Sequence, residues 1–280
     1  MKGWWISLHN GKQQNPGPRL LVSVINLEEA VAAGQGGADI IDIKNPAEGP
    51  LGAPPPPVIL AICRYLQETT PTSVALGEFP GRPCAAALAS LGAAACGPDF
   101  LKIGFLSSTS PEEIVTTLKE ITRGLASCYP SPPRVVAVAY ADTLSSASWT
   151  LEQFTRMARA GRAAGCLVDT WEKNGTPLVQ ILSQAQIRDF IDNCHHQGLF
   201  CGLAGSLQPG HLSSLAQLGP DIIGVRSAAC GGDRLRGRVT AARVSYLKKL
   251  LSTNPDPEAG ISSSPAKPRQ GLTINGYWRT

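Results

Sequence analysis

Asp42, Lys44, Lys102, Asp142, Asp169 and Lys173 are the residues of this chain whose types and spacing could do chemistry. In Ile40-Ile41-Asp42-Ile43-Lys44 the two-residue strand period sends Asp42 and Lys44 to one face and Ile41 and Ile43 to the other. Lys102 lies within a second apolar run, Phe100-Leu101-Lys102-Ile103-Gly104, at the end of a strand, and Asp142 follows Tyr140-Ala141. Lys173 lies four residues beyond Asp169. A buried lysine beside another cation loses affinity for its proton, and the neutral amine can attack a carbonyl to form a Schiff base. Such an adduct is an electron sink for carbon–carbon chemistry, while the second lysine and the carboxylates can carry protons. The competing reading is a structural layer of ion pairs with no chemistry. Two lysines at matching strand ends favour the chemical one.

A second group of residues suits an anion. Ala204-Gly205-Ser206-Leu207 and Gly224-Val225-Arg226-Ser227 each follow an apolar run. Glycines there let backbone N–H groups approach an anion, and the helix that follows adds the field of its N-terminus. Ser206 can donate a hydrogen bond, Arg226 can form a bidentate pair with a phosphate, and Ser227 is taken as a further substrate-binding position. Plain turn chemistry is the alternative, since Gly and Ser are common in turns. Gly231-Gly232-Asp233-Arg234 reads either as a loop over the site or as a surface Asp–Arg pair.

The elements that must position these residues follow from the apolar patterning. Strands are predicted over 20–24, 38–43, 73–76, 100–103, 135–139, 166–168, 199–204 and 221–225. Helices are predicted over 27–35, 58–68, 84–96, 111–124, 150–161 and 185–195, with helical patterns after each of the last two strands. Strict β–α alternation implies a parallel sheet. Eight units in a chain of 280 residues imply closure into a single (β/α)8 TIM barrel. In such barrels chemistry sits at the carboxyl ends of the strands, which is where all the singled-out residues fall. The barrel is expected over 20–251. A loose Gly-, Asn- and Pro-rich extension (1–19) precedes it, and a Ser- and Pro-rich tail (252–280) that reads as disordered follows it.

Composition excludes several alternatives. A net charge of +4, with Lys267, Arg269 and Arg279 in the tail, offers no basic stripe with interleaved aromatics, so no nucleic-acid partner is expected. No apolar run suits a membrane span, and the first twenty residues lack the apolar core of a secretory signal. The chain therefore reads as cytoplasmic and reduced. Eight cysteines include no C-x-x-C pair, and Cys194, His195, His196 and Cys201 fit no common zinc spacing. No metal and no organic cofactor are expected. Self-association is left open.

The chain resembles the (5-formylfuran-3-yl)methyl phosphate synthase family, barrel enzymes of methanofuran biosynthesis. The resemblance rests on Leu21-Val22-Ser23, on Gly37 to Pro46 with its Asp42-Ile43-Lys44-Asn45-Pro46, and on Glu48 to Ala53. Leu101 to Gly104, Tyr140-Ala141-Asp142, Asp169-Thr170 with Lys173, Ala204 to Leu207, and Gly224 to Arg226 with Ala228-Ala229-Cys230 extend it. It implies a lyase that condenses two molecules of glyceraldehyde 3-phosphate into a furan aldehyde phosphate, losing one phosphate and water. Lys44 matches the family's Schiff-base lysine and Lys102 its proton-transferring lysine, while Asp42, Asp169 and Lys173 match further polar active-site positions. Two departures stand out. The stretch before Asp169 looks shortened, predicting a very short sixth strand, and Ser227 stands where glycine is usual. The alternatives are another class I aldolase acting on a sugar phosphate, and a barrel that binds a phosphorylated metabolite without turning it over.

Overall fold

The computed structural model describes residues 17–67 and 69–252. The expected extension and tail lie almost wholly outside the described residues, as does the expected helical end at Glu68. Eight strands run in chain order: β1 (Arg19–Val24), β2 (Ile40–Ile43), β3 (Thr72–Glu78), β4 (Phe100–Phe105), β5 (Arg134–Tyr140), β6 (Gly165–Asp169), β7 (Phe200–Leu203) and β8 (Ile222–Val225). Each pairs in parallel with the next, and β8 pairs with β1, so the sheet closes into a barrel. Around it lie α1 (Leu27–Gln35), α2 (Pro56–Tyr65), α3 (Pro83–Ala94), α4 (Pro111–Cys128), α5 (Leu151–Ala160), the single turn α6 (Leu178–Ile181), α7 (Gln184–His196), α8 (Pro209–Gln217) and α9 (Ala241–Ser252).

The strand period explains the layering. Ile41, Ile43, Leu101, Ile103, Ala137 and Val168 point outward into the core shared with the helices. Leu21, Ile40, Phe100, Val136, Leu167, Phe200 and Ile222 point inward and fill the barrel. Phe100 and Phe200 meet edge to face across its lower half, with ring centroids 5.9 Å apart. Gly165 makes that contact possible, because a Cβ there would lie 2.5 Å from the Phe200 ring. Above this apolar plug the inward positions become polar.

A repeated device pins the lower rim. Asp39, Asp99 and Asp221 each stand one residue before a strand. Each carboxylate accepts from the backbone N–H at the start of the preceding strand: Leu20 at 2.7 Å, Thr72 at 2.8 Å and Cys201 at 2.7 Å. Charge-assisted bonds of this kind set the strand stagger and satisfy donors that a strand end leaves open. Helix starts are equally explicit. Asn26 and Ser110 cap α1 and α4, and Thr150 and Ser183 form capping boxes with Gln153 and Gln186.

The expected short sixth strand is corrected. β6 has five residues against four in β2, β7 and β8, and it pairs along its whole length with β5 and from Gly165 to Val168 with β7. Gly165 and Asp169 extend the apolar triplet because β5 reaches to Tyr140, which pairs with Asp169. The helical pattern expected after β8 is α9, which begins at Ala241 after a folded loop over 226–240.

Candidate active site

Asp42 anchors the polar layer. It is wholly buried on β2, and its Oδ2 lies 2.7 Å from Lys102 Nζ on β4. Ser23 on β1 donates to Oδ2 at 2.8 Å, and Ser73 on β3 donates to Oδ1. These strands are in register, Ser23 beside Asp42 and Asp42 beside Ser73, so three neighbouring inward positions form one network. Burial pushes the Asp42 carboxyl up, but Lys102 and Lys44 together hold it below its ordinary value.

Lys44 follows β2 and is 6% exposed. Its amine donates to the Pro50 carbonyl at 3.3 Å, and among the described residues no carboxylate comes within ion-pair distance. Burial drives its affinity for a proton down to about pKa 7, with Lys102 and Lys173 adding to the effect against the pull of Asp169 and Asp42. The loop carrying Pro50 is tied back on itself by hydrogen bonds. Asn45 N–H donates to Gly52 O at 2.8 Å, and the Asn45 side chain accepts from Ala47 N–H. Gly52 is required, since a Cβ there would overlap Asn45 O.

Asp169 ends β6, and Lys173 reaches back to it with Nζ 2.6 Å from Oδ1. Thr170 N–H donates to the same oxygen at 2.7 Å, and Lys173 also donates to Thr170 Oγ1 at 3.2 Å. Burial opposes ionisation of Asp169, but Lys173 and Lys44 outweigh it and bring the carboxyl down to about pKa 2. Lys44, Lys102, Asp169 and Lys173 line one cleft with about 530 Å³ of space, open to solvent at the strand carboxyl ends.

The β7 and β8 turns form the facing wall, bringing Gly205, Ser206, Gly224, Arg226 and Ser227 to the same cleft. Gly205 and Ser206 both take positive φ, 108° and 49°, which is uncommon for serine. At Gly205 a Cβ would also lie 2.9 Å from the Thr170 methyl carbon.

Two expectations change. The Arg226 fork does not face the cleft as a free phosphate donor: Nη1 lies 2.8 Å from Glu29 Oε2 and Nη2 3.4 Å from Oε1. Nη1 also donates to Ser23 O, and Nε to Arg234 O. The buried Glu29 carboxylate on α1 needs a cation, and Arg226 supplies it. Asp142 does not line the cleft. It accepts from the backbone N–H groups of Trp171 and Glu172, both at 2.7 Å, and so holds the loop between Asp169 and Lys173.

Sequence reasoning missed Ser23, Ser73, Glu29 and Glu78 as parts of this environment, and left Arg234 between a loop over the site and a surface ion pair. Ser23 and Ser73 follow from the strand period once Asp42 is placed. Glu78 does not, because β3 was expected to stop at Leu76. A register shift between Ala75 and Glu78, with Gly77 at φ 87°, turns Glu78 toward Tyr140, whose hydroxyl donates to it. Burial raises the pKa of both partners. The histidines of the weighed metal cluster are engaged elsewhere, His195 with Asp221 and His196 with the Asp192 carbonyl.

Comparison with known proteins bears on the family and the fold. The family model described as 4-HFC-P synthase matches residues 20–248. The (5-formylfuran-3-yl)methyl phosphate synthase of Methanopyrus kandleri is 39% identical over 236 residues, covering 84% of this chain and 99% of that protein. The enzyme of the same name from Methanocaldococcus jannaschii is 39% identical over 235 residues, covering 82% and 98%. Among solved structures, phosphoribosyl anthranilate isomerase from Thermus thermophilus superposes with a TM-score of 0.56 at 17% identity, covering 83% of this chain and 98% of that one. A 3-hexulose-6-phosphate synthase gives 0.54 at 16%, covering 83% and 99%. At such identity these two show a shared barrel and nothing finer. No helix among the described residues is long and apolar enough to cross a membrane. The family match and the two curated relatives span the whole barrel, and the chain belongs to the 4-HFC-P synthase family.

Proposed function

We propose that this chain condenses two molecules of glyceraldehyde 3-phosphate into (5-formylfuran-3-yl)methyl phosphate, through a Schiff base on Lys44. The carrying observation is that Lys44 is a buried amine facing the cleft with a carbonyl, not a carboxylate, as its hydrogen-bond acceptor. A lysine in water holds its proton at pH 7, whereas a group with pKa about 7 is about half neutral there. The neutral amine adds to the aldehyde of one triose phosphate and expels water, giving an iminium. Loss of the C2 proton then makes an enamine, which pushes inorganic phosphate off C3. The conjugated iminium left behind accepts at C3 the nucleophilic C2 of the second triose phosphate, forming the carbon–carbon bond. Closure of the first triose's C2 oxygen onto the second aldehyde makes the ring. Two dehydrations make it aromatic, and hydrolysis of the imine returns Lys44. The balance is two triose phosphates to one furan phosphate, one phosphate and two waters, with no net oxidation or reduction.

Lys173 and Asp169, joined at 2.6 Å, are the pair suited to receive and return protons beside Lys44. Lys102 is held by Asp42 at 2.7 Å and presents its charge to the same space. The β7 and β8 turns suit one substrate phosphate, through Gly205, Ser206, Gly224 and Ser227. The reaction requires no organic cofactor or metal, and the reading places it in the one-carbon metabolism that methanofuran serves.

The test is borohydride trapping with glyceraldehyde 3-phosphate, followed by peptide mapping and a near-ultraviolet assay for the furan. A reduced adduct on Lys44, lost in Lys44→Ala, together with the furan chromophore, supports the reading. An adduct with a non-absorbing aldol product would make this another class I aldolase. Folded protein giving neither adduct nor turnover would leave a barrel that only binds a phosphorylated metabolite.

A further inference from the structure

Five cationic side chains line the cleft: Lys44, Lys102, Lys173, Arg226 and Arg234. Three of them have carboxylate partners, in Asp42, Asp169 and Glu29. Lys44 is accounted for by its chemistry. Arg234 has no ion-pair partner among the described residues, and its Nη2 is buried without a hydrogen bond. A guanidinium nitrogen removed from water without a partner is costly, so it needs a reason.

The segment that carries Arg234 is a built loop. Gly232 N–H donates to Ser227 O at 2.7 Å and Cys230 N–H to Arg226 O at 3.0 Å, while Arg226 Nε fixes the Arg234 carbonyl at 2.8 Å. Asp233 does not pair with Arg234. Its carboxylate accepts from Leu235 and Arg236 N–H, both at 2.9 Å, and so locks the turn. Gly237 packs where a Cβ would lie 2.5 Å from Asp233 O, closing the loop on itself. The buried Arg226–Glu29 pair therefore serves as the post on which Arg234 is mounted. From there Arg234 feels the charge of Asp169 across the cleft, while burial lowers its own affinity for a proton.

We propose that Arg234 is a substrate-binding residue that clamps the phosphomonoester of the triose phosphate against the Gly205–Ser206 and Gly224–Ser227 turns. The assignment rests on reading the cleft as a triose phosphate site. It replaces Arg226, whose fork is held by Glu29, as the guanidinium that meets the anion. A planar fork with a free Nη2 suits a phosphate oxygen, and the backbone turns across the cleft supply the remaining donors.

The experiment titrates the full chain with inorganic phosphate by calorimetry, comparing wild type, Arg234→Gln and Arg234→Lys, with thermal unfolding as the control. In parallel, borohydride trapping compares glyceraldehyde 3-phosphate with unphosphorylated glyceraldehyde. Phosphate binding should weaken tenfold or more in Arg234→Gln and less in Arg234→Lys. Half-maximal trapping should need correspondingly more glyceraldehyde 3-phosphate in Arg234→Gln, with trapping of glyceraldehyde unchanged. Equal phosphate affinity in wild type and a well-folded Arg234→Gln would overturn the assignment. So would the absence of phosphate binding by wild type, or equal loss of trapping with both aldehydes. If Arg234→Gln unfolds, Arg234→Lys alone decides by the same comparison. Arg234-dependent phosphate binding without furan formation would support the anion clamp while sinking the synthase reading.

Discussion

Lys102 Nζ lies 2.7 Å from Asp42 Oδ2 with both side chains at most 5% exposed, whereas Lys44, two residues along the same strand line, has a carbonyl for its acceptor. One lysine is thus tied to a carboxylate, and the other is held by a carbonyl alone. A buried ion pair of this kind is not a general source of stability, but breaking it is costly, about 3–5 kcal/mol, because a charge is left uncompensated. Asp42→Asn is therefore expected to lower the unfolding free energy, read from denaturant titration, by that magnitude. Asp42→Asn combined with Lys102→Met should recover most of the stability without recovering turnover. Full stability in Asp42→Asn alone would show that the pair is not the anchor of this layer.

Lys44 makes both activity and stability depend on pH. Activity that needs its neutral amine should rise through about pH 7 on the acid side of a kcat/KM profile. Stability follows from the same shift. Between about pH 7 and the ordinary lysine value of 10.5 the unfolded chain binds a proton that the folded chain does not. Stability should therefore climb with pH across that window and level off above it. Chemical unfolding of wild type and Lys44→Met at several pH values measures this. The variant should lose that component of the slope and be the more stable of the two at pH 7. Parallel curves for both proteins would show that Lys44 is charged when folded.

Gly104 and the Glu78–Tyr140 pair compete for one volume. A Cβ at position 104 would overlap the Tyr140 hydroxyl and lie 2.7 Å from Glu78 Oε1. Gly104→Ala should thus displace a buried hydrogen bond and destabilise by about 1–3 kcal/mol, the usual cost of overpacking. Adding Glu78→Ala to Gly104→Ala removes one of the two crowding groups. It should cost less than the sum of the two single changes in a double-mutant cycle. Strict additivity would mean that the groups do not share the space.

How far the sequence reveals this molecule depends on whether a residue's direction follows from a regular period. Asp42 and Lys44 could be placed inward because β2 is a plain alternation, and Lys102 by the same argument on β4. The closed barrel was legible from eight alternating units, and α1 was legible to the residue because Asn26 and Gly36 punctuate it. Glu78 was hidden by the register shift at Gly77, which changes which face a side chain meets. Arg226 was misread because its partner Glu29 lies 197 positions away in sequence, on α1. Arg234 was hidden for a related reason: only the fold shows that Asp233 turns back to the backbone and leaves its neighbour's guanidinium without a carboxylate.

The Arg226–Glu29 pair yields the last prediction, because it separates a mounting post from a ligand. Glu29 also caps backbone donors, accepting from Ile25 N–H at 3.0 Å and Val239 N–H at 3.4 Å, so it ties β1, α1 and the end of the 226–240 loop together. Glu29→Gln keeps the shape and removes the charge, leaving Arg226 buried and unpaired at a cost of about 3–5 kcal/mol. If Arg226 is structural, Glu29→Gln and Arg226→Met together should be milder than Glu29→Gln alone, since no lone charge remains in the core. Phosphate affinity of the double variant should fall only as far as Arg234 loses its mount, and less than in Arg234→Gln. If Arg226 itself grips the anion, the double variant would bind phosphate more weakly than Arg234→Gln, and its calorimetric titration against inorganic phosphate would show it.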